Sequence, residues 1–410
     1  MNLLRRHRTL VSIAVLTMTV LLLSAGSAWA ATYYSQGSLD PNVTTNWNSI
    51  RLGGGSSPAN FTSGDVFAIQ ASHSMATTAA WTVSGAGSKI QIESGGTLTA
   101  NHIVAVPTFQ VDDGGSYIHN AASGTSNGVA SDLPGSTTRT FGSASTVEIR
   151  KWANGGTVPV ALPNVTWGNL TLNLTTLAGD WNQLGALQTV NGNLTVQATG
   201  GFAFDLQSSG TTTATVGGNY AQSGGTLVLA TVTGANVTLN VSGNMNIIGG
   251  TLSFTTANNI TSALNLSGDL SVTGSGTMTE SGNKKPAVTF QKAGTQVFTS
   301  GGTVSGAPDF TVNAGSTLDL GTSILTGGSF TLSSGAGLIL GSAAGITTTD
   351  ATGNIQVSGA RTYSTTANYT YRGALAQVTG NGLTGANNLT IDNSAGVHYR
   401  TARSRSVRTR

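Results

Sequence analysis

Apolar and polar residues alternate along this chain in short segments that recur at a nearly constant spacing. The clearest of them are VNGNLTV from Val190, VGGNYAQSGGTLVL from Val216, VSGNMNIIGGTLSF from Val241 and LSGDLSVTGSGTM from Leu266. Their starting positions are therefore separated by almost equal steps. A repeat of this length, built from strand-like segments, is typical of a solenoid in which every repeat stacks on the one before it.

The alternation inside each segment predicts β-strands, because every second side chain of a strand points to the same face. Equivalent apolar positions are occupied by Tyr220, Met245 and Leu270 and, further along, by Leu227, Leu252 and Met278. Gly-Gly, Gly-Asn and Ser-Gly pairs between the segments predict corners with positive φ angles. The glycines expected to stack at one corner are Gly192, Gly218, Gly243 and Gly268. With about three strands per repeat, the sequence predicts an all-β fold, a parallel and right-handed β-helix with about 20–26 residues per coil.

The regularity of the spacing divides the chain into regions. Residues 31–136 are expected to form an N-terminal cap and the first, irregular coils, and residues 137–187 to form further irregular coils and a junction. Regular coils are predicted over 188–397, followed by a disordered basic tail over 398–410. About 14 coils would give a rod of roughly 70 Å, since each coil adds ~4.8 Å.

Residues 1–30 have the three parts of a secretory signal peptide. Three arginines within residues 5–8 precede an apolar run over residues 10–23, and Ala28-Trp29-Ala30 provides a small-residue cleavage site. The apolar run is too short for a membrane anchor. We therefore predict cleavage after Ala30, a secreted or cell-surface location, and no integral membrane segment in the mature chain.

Charge and cysteine content exclude two further classes of protein. Residues 31–399 carry 10 basic and 15 acidic side chains, a net charge of −5. Such a body has no basic face for a phosphate backbone, so we predict no nucleic-acid partner. The chain has no cysteine, which removes disulfides and thiolate metal sites. We expect no cofactor.

Several segments resemble a known group of proteins. They are TYYSQGSLDPN from Thr32, NFTSGDVFAIQ from Asn60, VEIRKW from Val147, WGNLTLN from Trp167 and YTYRGALAQVTGNGLTGANNLTIDNSAGV from Tyr369. Together they are similar to the large secreted repeat proteins of Bacteroidetes- and Chlorobi-type bacteria. The resemblance implies an adhesin-like β-solenoid that is exposed on the cell surface or released, often with a terminal sorting domain.

The composition changes abruptly after Val397. Five arginines occur within the last eleven residues, whereas the preceding strands are almost uncharged. Two interpretations remain open, translation in a shifted reading frame that truncates the solenoid and a genuine basic tail.

The candidates for chemistry are few. Asp112 and Asp113 form the one adjacent acidic pair, and His119 follows closely. These three residues are weak candidates for a calcium or acid–base site, although Asp-Asp-Gly-Gly is also an ordinary turn sequence. We expect the histidines at the surface or in the cap, because their spacing fits no metal site. Trp152, Trp167 and Trp181 are expected to fill the junction, with a sugar-stacking platform as the alternative.

Two functions from different classes fit these observations. The first is a non-catalytic extracellular or cell-surface scaffold, adhesin-like, whose partners would be a polysaccharide or the surface of a host or neighbouring cell. The second is a carbohydrate-active β-helix protein resembling a polysaccharide lyase or hydrolase. An enzyme of that kind needs converging carboxylates, and the acidic residues here are scattered. We therefore predict the scaffold, with no catalytic, cofactor-binding or metal-binding residue.

Overall fold

A computed structural model describes residues 30–121, 133–152, 161–175, 177, 179–349 and 351–399. These residues form a parallel β-solenoid of about 13 turns with ~24 residues per coil, which confirms the predicted fold class. The one helical element among them is the 3-10 turn Thr44–Asn46. The predicted signal peptide, apart from Ala30, and residues 400–410 of the predicted tail lie outside the described residues.

Each coil contributes strands to up to three faces, and the strands of a face pair in parallel with their counterparts one coil away. The first face comprises Thr32–Ser35, Val66–Ile69, Lys89–Ile92, Thr108–Val111, Thr138–Phe141, Thr166–Trp167, Thr189–Val190, Thr211–Val216, Asn236–Val241, Ala263–Leu266, Ala287–Phe290, Asp309–Val312, Phe330–Leu332 and Arg361–Tyr363. It consists of two sheets that meet where Phe141 stacks on Trp167, with ring centroids 5.0 Å apart.

The second face is a continuous sheet of 14 strands. It comprises Ser74–Ala76, Thr97–Ala100, Ser116–His119, Thr146–Ile149, Asn169–Leu174, Leu194–Thr199, Tyr220–Gln222, Met245–Ile247, Leu270–Val272, Gly294–Ser300, Ser316–Asp319, Gly337–Leu340, Asn368–Tyr371 and Asn388–Ile391. The third face is broken into shorter sheets. It comprises Trp81–Thr82 and Val104–Ala105, then Trp181–Asn182, Ala203–Gln207, Thr226–Ala230, Thr251–Thr255, Thr277–Thr279 and Thr303–Val304, and finally Gln377–Val378 and Val397–His398.

The core is a set of inward columns that run through the stacked coils. Tyr220 pairs with Met245 and Met245 with Leu270, as predicted, and Leu227, Leu252 and Met278 form a second column. The column through the first face is Trp167, Val190, Val216, Val241, Leu266, Phe290, Val312, Leu332 and Tyr363. Because all these side chains are largely buried, one apolar core joins the coils.

The four predicted glycines do stack at one corner, but for a different reason than expected. A Cβ on Gly218 would lie 2.7 Å from the carbonyl carbon of Gly192, and a Cβ on Gly243 would lie 2.6 Å from the carbonyl oxygen of Gly218. None of the four has a positive φ angle. Glycine is required here because successive backbones approach too closely for a side chain, not because the chain turns through a left-handed conformation.

Beside this glycine corner, a ladder of amide side chains holds successive coils together. The Oδ1 atom of Asn169 accepts the backbone N–H of Asn193 at 2.9 Å, and Asn193 accepts that of Asn219 at 2.8 Å. The pattern continues from Asn219 to Asn244 and from Asn244 to Asp269. Each bond satisfies a corner N–H that the strands cannot reach, so the repeated asparagine is a structural residue.

The two ends of the described solenoid differ. At the start, Trp47–Asn48 pairs antiparallel with Thr32–Ser35, and the Trp47 ring is buried against Trp81 at 5.6 Å. At the other end, the strand Asn388–Ile391 pairs on one side only and leaves Leu389 and Ile391 exposed. His398, which we assigned to the disordered tail, instead pairs with Val378 in a short parallel strand. No helix in the described part of the chain is long and apolar enough to span a membrane.

Candidate functional site

Asp112 and Asp113 lie at a turn on the outside of the solenoid. The Asp112 carboxylate accepts hydrogen bonds from Gln91 Nε2 at 2.6 Å and from Gln110 Nε2 at 2.5 Å. Asp113 Oδ1 accepts the backbone N–H of Ala144 at 2.8 Å, from the turn of the next coil. Both carboxylates therefore bind groups of the solenoid itself and link neighbouring coils.

His119 is the last residue of the strand Ser116–His119, which follows that turn, and its ring lies inside the core. Its side chain points inward between Ala100 and Ile149 of the neighbouring coils and is fully buried. Nδ1 lies 3.1 Å from the Tyr117 hydroxyl, and the ring packs edge-on against Trp152 at 5.6 Å. Burial lowers the pKa of His119 to about 3, so the ring is neutral.

His119 lies within residues 31–136, the region predicted as the cap and first coils, and of the two predicted places, surface or cap, the surface is wrong for it. The strand alternation places it in the same inward set as Tyr117, two residues earlier. The structure does not bring His119 together with Asp112 and Asp113, because the first faces the core and the other two face solvent at the turn. No proton could pass directly between them.

The remaining carboxylates are dispersed along the rod. Four of them form ion pairs with a nearby base, in the pairs Glu93–Arg51, Glu148–Arg150, Asp269–Lys292 and Asp319–Arg372. In the part of the chain that the structure describes, no three His, Cys, Asp or Glu side chains come close enough to hold a metal ion. The Glu148–Arg150 pair holds the pKa of Glu148 below its usual range.

The tryptophans do not form a platform for sugars. Trp152, Trp167 and Trp181 are completely buried. Trp152 and Trp181 lie 4.8 Å apart, and Trp181 packs edge-on against Phe204 at 5.1 Å. They fill the core between the irregular and regular coils, which confirms the predicted junction role.

A shallow groove of about 430 Å³ opens near the junction of the second and third faces. Its lining includes Leu174, Thr175, Ala198, Thr199, Phe202 and Thr226. Phe202 is 42 % exposed. Among the described residues that line this groove none is charged, so they offer an aromatic ring and threonine hydroxyls but no acid or base.

Two buried oxygen atoms on the third face lack partners. Asp205 is 4 % exposed and Gln207 is 6 % exposed, and they occupy alternate positions of the strand Ala203–Gln207. Among the described residues, no hydrogen bond reaches Asp205 Oδ1 or Gln207 Oε1. Burial, with a smaller contribution from the charge of Asp180, raises the pKa of Asp205 to about 7. The environment of Asp205 thus disfavours its charged form.

The outer side of the first face carries a row of uncharged polar side chains. The row consists of Thr166, Thr189, Thr215, Asn240, Asn265, Thr289, Thr311, Thr331 and Thr362. The amide of Asn265 donates to Asn240 Oδ1 at 2.9 Å, along the row. These residues present hydroxyl and amide groups at the ~4.8 Å spacing of the coils.

Comparison of the chain with models of protein families, with curated proteins and with solved structures found no match. The fold and the placement of its side chains are therefore the basis for any functional argument.

Sequence reasoning missed Phe202 and Asp205, although one of them left a signal. The third-face strands read LVLA from Leu227 and LSFT from Leu252, whereas the equivalent stretch from Phe204 reads FDLQ. An acid and an amide at positions that are otherwise small or apolar mark Asp205 and Gln207 as unusual. Phe202 left no such signal, because its exposure depends on the shape of the corner.

Proposed function

We propose that this protein is exported and acts outside the cell, or on its surface, as a non-catalytic β-solenoid scaffold of adhesin-like type. The observation that supports this most directly is the dispersal of its carboxylates. Those singled out by sequence are hydrogen-bonded to groups of the solenoid itself, and four others are paired with bases. Acid–base cleavage of a glycosidic bond requires two carboxyl groups that face one substrate.

The mechanism of a scaffold is geometric. About 13 coils at ~4.8 Å each extend the structure over roughly 60 Å. The row of threonine and asparagine side chains on the first face repeats one weak contact at every coil. Many weak contacts on one rigid body add up to strong attachment to a repetitive surface, such as a polysaccharide.

The groove beside Phe202 is the best candidate for a more specific contact with a sugar. A pyranose ring presents C–H groups that pack on an aromatic face, and its hydroxyls can bond to the neighbouring threonines. The absence of charge in the groove lining favours a neutral polysaccharide over an acidic one.

The test combines binding and cleavage on the same polysaccharides. The chain starting at Ala31 is incubated with neutral and acidic polysaccharides, and retention on the insoluble polymer and release of new chain ends are both measured. Phe202→Ala is the groove variant, and Ile248→Ala, at an exposed apolar residue away from the groove lining, is its control. The double variant Asp112→Asn with Asp113→Asn tests the alternative of a carbohydrate-active enzyme.

We expect retention on a neutral polymer without cleavage, reduced about tenfold or more by Phe202→Ala and unchanged by Ile248→Ala. Retention that Phe202→Ala does not alter would refute the groove as the contact while leaving the scaffold. Chain cleavage that disappears in the double aspartate variant would establish the enzyme instead. No retention on any polymer would reject polysaccharide as the partner.

A further inference from the structure

The first described strand is fastened to the next coil through the backbone nitrogen of Ala31. This N–H donates to Asp65 Oδ1 at 2.9 Å, and the Ala31 carbonyl accepts the N–H of Val66 at 2.8 Å. Thr32–Tyr34 then pairs in parallel with Val66–Ala68. Asp65 is only 8 % exposed, so its carboxylate meets Ala31 in a largely water-excluded place.

Ala31 is also the residue that follows the predicted signal-peptide cleavage site, Ala28-Trp29-Ala30. We propose that removal of the signal peptide converts the hydrogen bond between Ala31 and Asp65 into a buried ion pair, so that processing itself locks the first strand onto the solenoid. This proposal rests on the proposed export of the protein. It adds a structural consequence of processing to what export alone implies.

The chemistry of the step is simple hydrolysis by a leader peptidase. One water molecule is added across the Ala30–Ala31 peptide bond, and the Ala30 carbonyl becomes a carboxylate. The Ala31 nitrogen changes from an amide to an amine and takes up a proton, because an α-amino group has a pKa of about 7.7–8.0. A neutral N–H donor 2.9 Å from Asp65 Oδ1 thereby becomes an ammonium group at the same position. The bond is already charge-assisted through the carboxylate, and cleavage adds a full positive charge on the donor, so that Coulombic attraction joins the hydrogen bond.

The surroundings of Asp65 favour this partner. Among the described residues, none of the ion pairs involves Asp65. Lys89, on the neighbouring strand, gives its backbone N–H to the Asp65 carbonyl, while its ammonium group lies 3.1 Å from Gln110 Oε1. Tyr33 is the other titratable group nearby, and burial together with the charge of Asp65 raises its pKa. Within the described part of the chain the Asp65 carboxylate thus has no basic side chain as a partner, and the new terminus supplies a positive group.

The test is a cycle of four chains. Two of these proteins begin at Ala31, and the other two retain Ala30 as a single extra residue. In each set, one protein has Asp65 and the other has Asp65→Asn. The extra residue moves the ammonium group away from Asp65 and restores an amide at Ala31. We expect the chain that begins at Ala31 to melt about 1–3 °C higher than the one that retains Ala30. Asp65→Asn should abolish that difference.

Two further measurements identify the interaction as an ion pair. The difference should disappear above about pH 9, where the amine is neutral, while Tyr33, with its raised pKa, keeps its proton. Asp113→Asn is the matched control, because Asp113 also accepts a backbone N–H but lies far along the chain. It should leave the difference unchanged. Equal melting temperatures, or a difference that survives Asp65→Asn, would overturn the proposal.

Sequencing the N-terminus of the exported protein separates this proposal from the proposed function. A terminus at Ala31 supports both. Export with a terminus at another residue would reject the ion pair and leave the scaffold function standing. A chain that is never exported would reject the proposed function. It would also show that the ion pair between Ala31 and Asp65 does not form by signal-peptide removal in the cell, even if the four proteins show that the pair can form.

Discussion

The irregular coils of residues 31–187 and the regular coils that follow form one stack, but different side chains fill the core in the two regions. The fully buried tryptophans of the first region are Trp47, Trp81, Trp152, Trp167 and Trp181. The regular coils are filled mainly by leucine, valine, isoleucine and methionine. First-face positions that pair from coil to coil are unevenly spaced early in the chain, at 66, 89, 108 and 138. They are almost evenly spaced at 189, 215, 240, 265 and 289, and uneven again at 311, 331 and 362. Stacking therefore needs continuous inward columns and does not need equal coils.

One pair of columns shows the contrast most clearly. Tyr117 and His119 occupy the same inward columns in the first region as Tyr220 and Gln222 in the second. The Tyr117 hydroxyl lies 3.1 Å from His119 Nδ1, and the Tyr220 hydroxyl donates to Gln222 Oε1 at 2.7 Å. Both coils thus bury a tyrosine bonded to a polar side chain two residues later. Only the first contains a group that takes up a proton at mildly acidic pH once the chain unfolds.

The largest effect should come from a charge placed in either core. Leu98→Asp in the irregular coils and Leu252→Asp in the regular coils each bury an unpaired carboxylate. We expect each to lower the free energy of unfolding by about 3–5 kcal/mol in urea denaturation. Ile248→Asp, at an exposed position, should change it by less than about 0.5 kcal/mol. A mild effect of Leu98→Asp alone would mean that the irregular coils are a separable cap.

A smaller, pH-dependent effect should distinguish His119 from Gln222. The folded chain keeps His119 neutral down to about pH 3, whereas the unfolded chain protonates it below about pH 6.5. Its contribution to stability is therefore complete above pH 6.5, and about 1.4 kcal/mol should be lost for each pH unit below that value. His119→Gln, which copies Gln222, should remove this slope. Identical pH profiles of the two proteins, measured by urea denaturation between pH 4 and 7, would contradict burial of a neutral His119.

Asp205 should have the opposite pH dependence and a smaller effect. Its folded pKa is raised to about 7, so the folded state holds a proton that the unfolded state releases above about pH 4. Stability is therefore lost as the pH rises from about 4 to 7. Asp205→Val, which copies the neighbouring Val228, should stabilise the chain by about 1–3 kcal/mol at pH 7 and by little at pH 4. Destabilisation at pH 7 would show that the carboxylate has a stabilising partner.

The sequence predicted the fold wherever the repeats were equal in length. The alternation of Tyr220, Met245 and Leu270 is sufficient to set the register, because a slip by one residue would expose the whole column. In the first region the unequal steps from Lys89 to Thr108 and on to Thr138 conceal the same register. The extra residues of the longer coils lie at the corners, where there is no alternation of apolar and polar side chains from which they could be predicted.

The environment of individual residues could be predicted less well than the fold. The inward position of His119 follows from the alternation around Tyr117, but the prediction of a surface or cap position used only the spacing of the histidines. The contact between Ala31 and Asp65 joins residues 34 positions apart, and only the strand register reveals it. The exposure of Phe202 depends on how a corner bends, which no local pattern encodes, whereas Asp205 is marked only by an acid at a position that is valine or serine in the next two coils.

The stacking register is the basis of the whole account, and a pair of engineered cysteines tests it most directly in this cysteine-free chain. Asn240 and Asn265 are paired on adjacent strands, whose Cα atoms lie ~4.8 Å apart, within the range that a disulfide spans. Asn240→Cys with Asn265→Cys should therefore form an intramolecular disulfide under mild oxidation, detected by mass spectrometry of unreduced peptides. Asn240→Cys with Thr289→Cys, two coils apart at ~10 Å, should not form one. A disulfide in the second protein but not in the first would contradict the stacking.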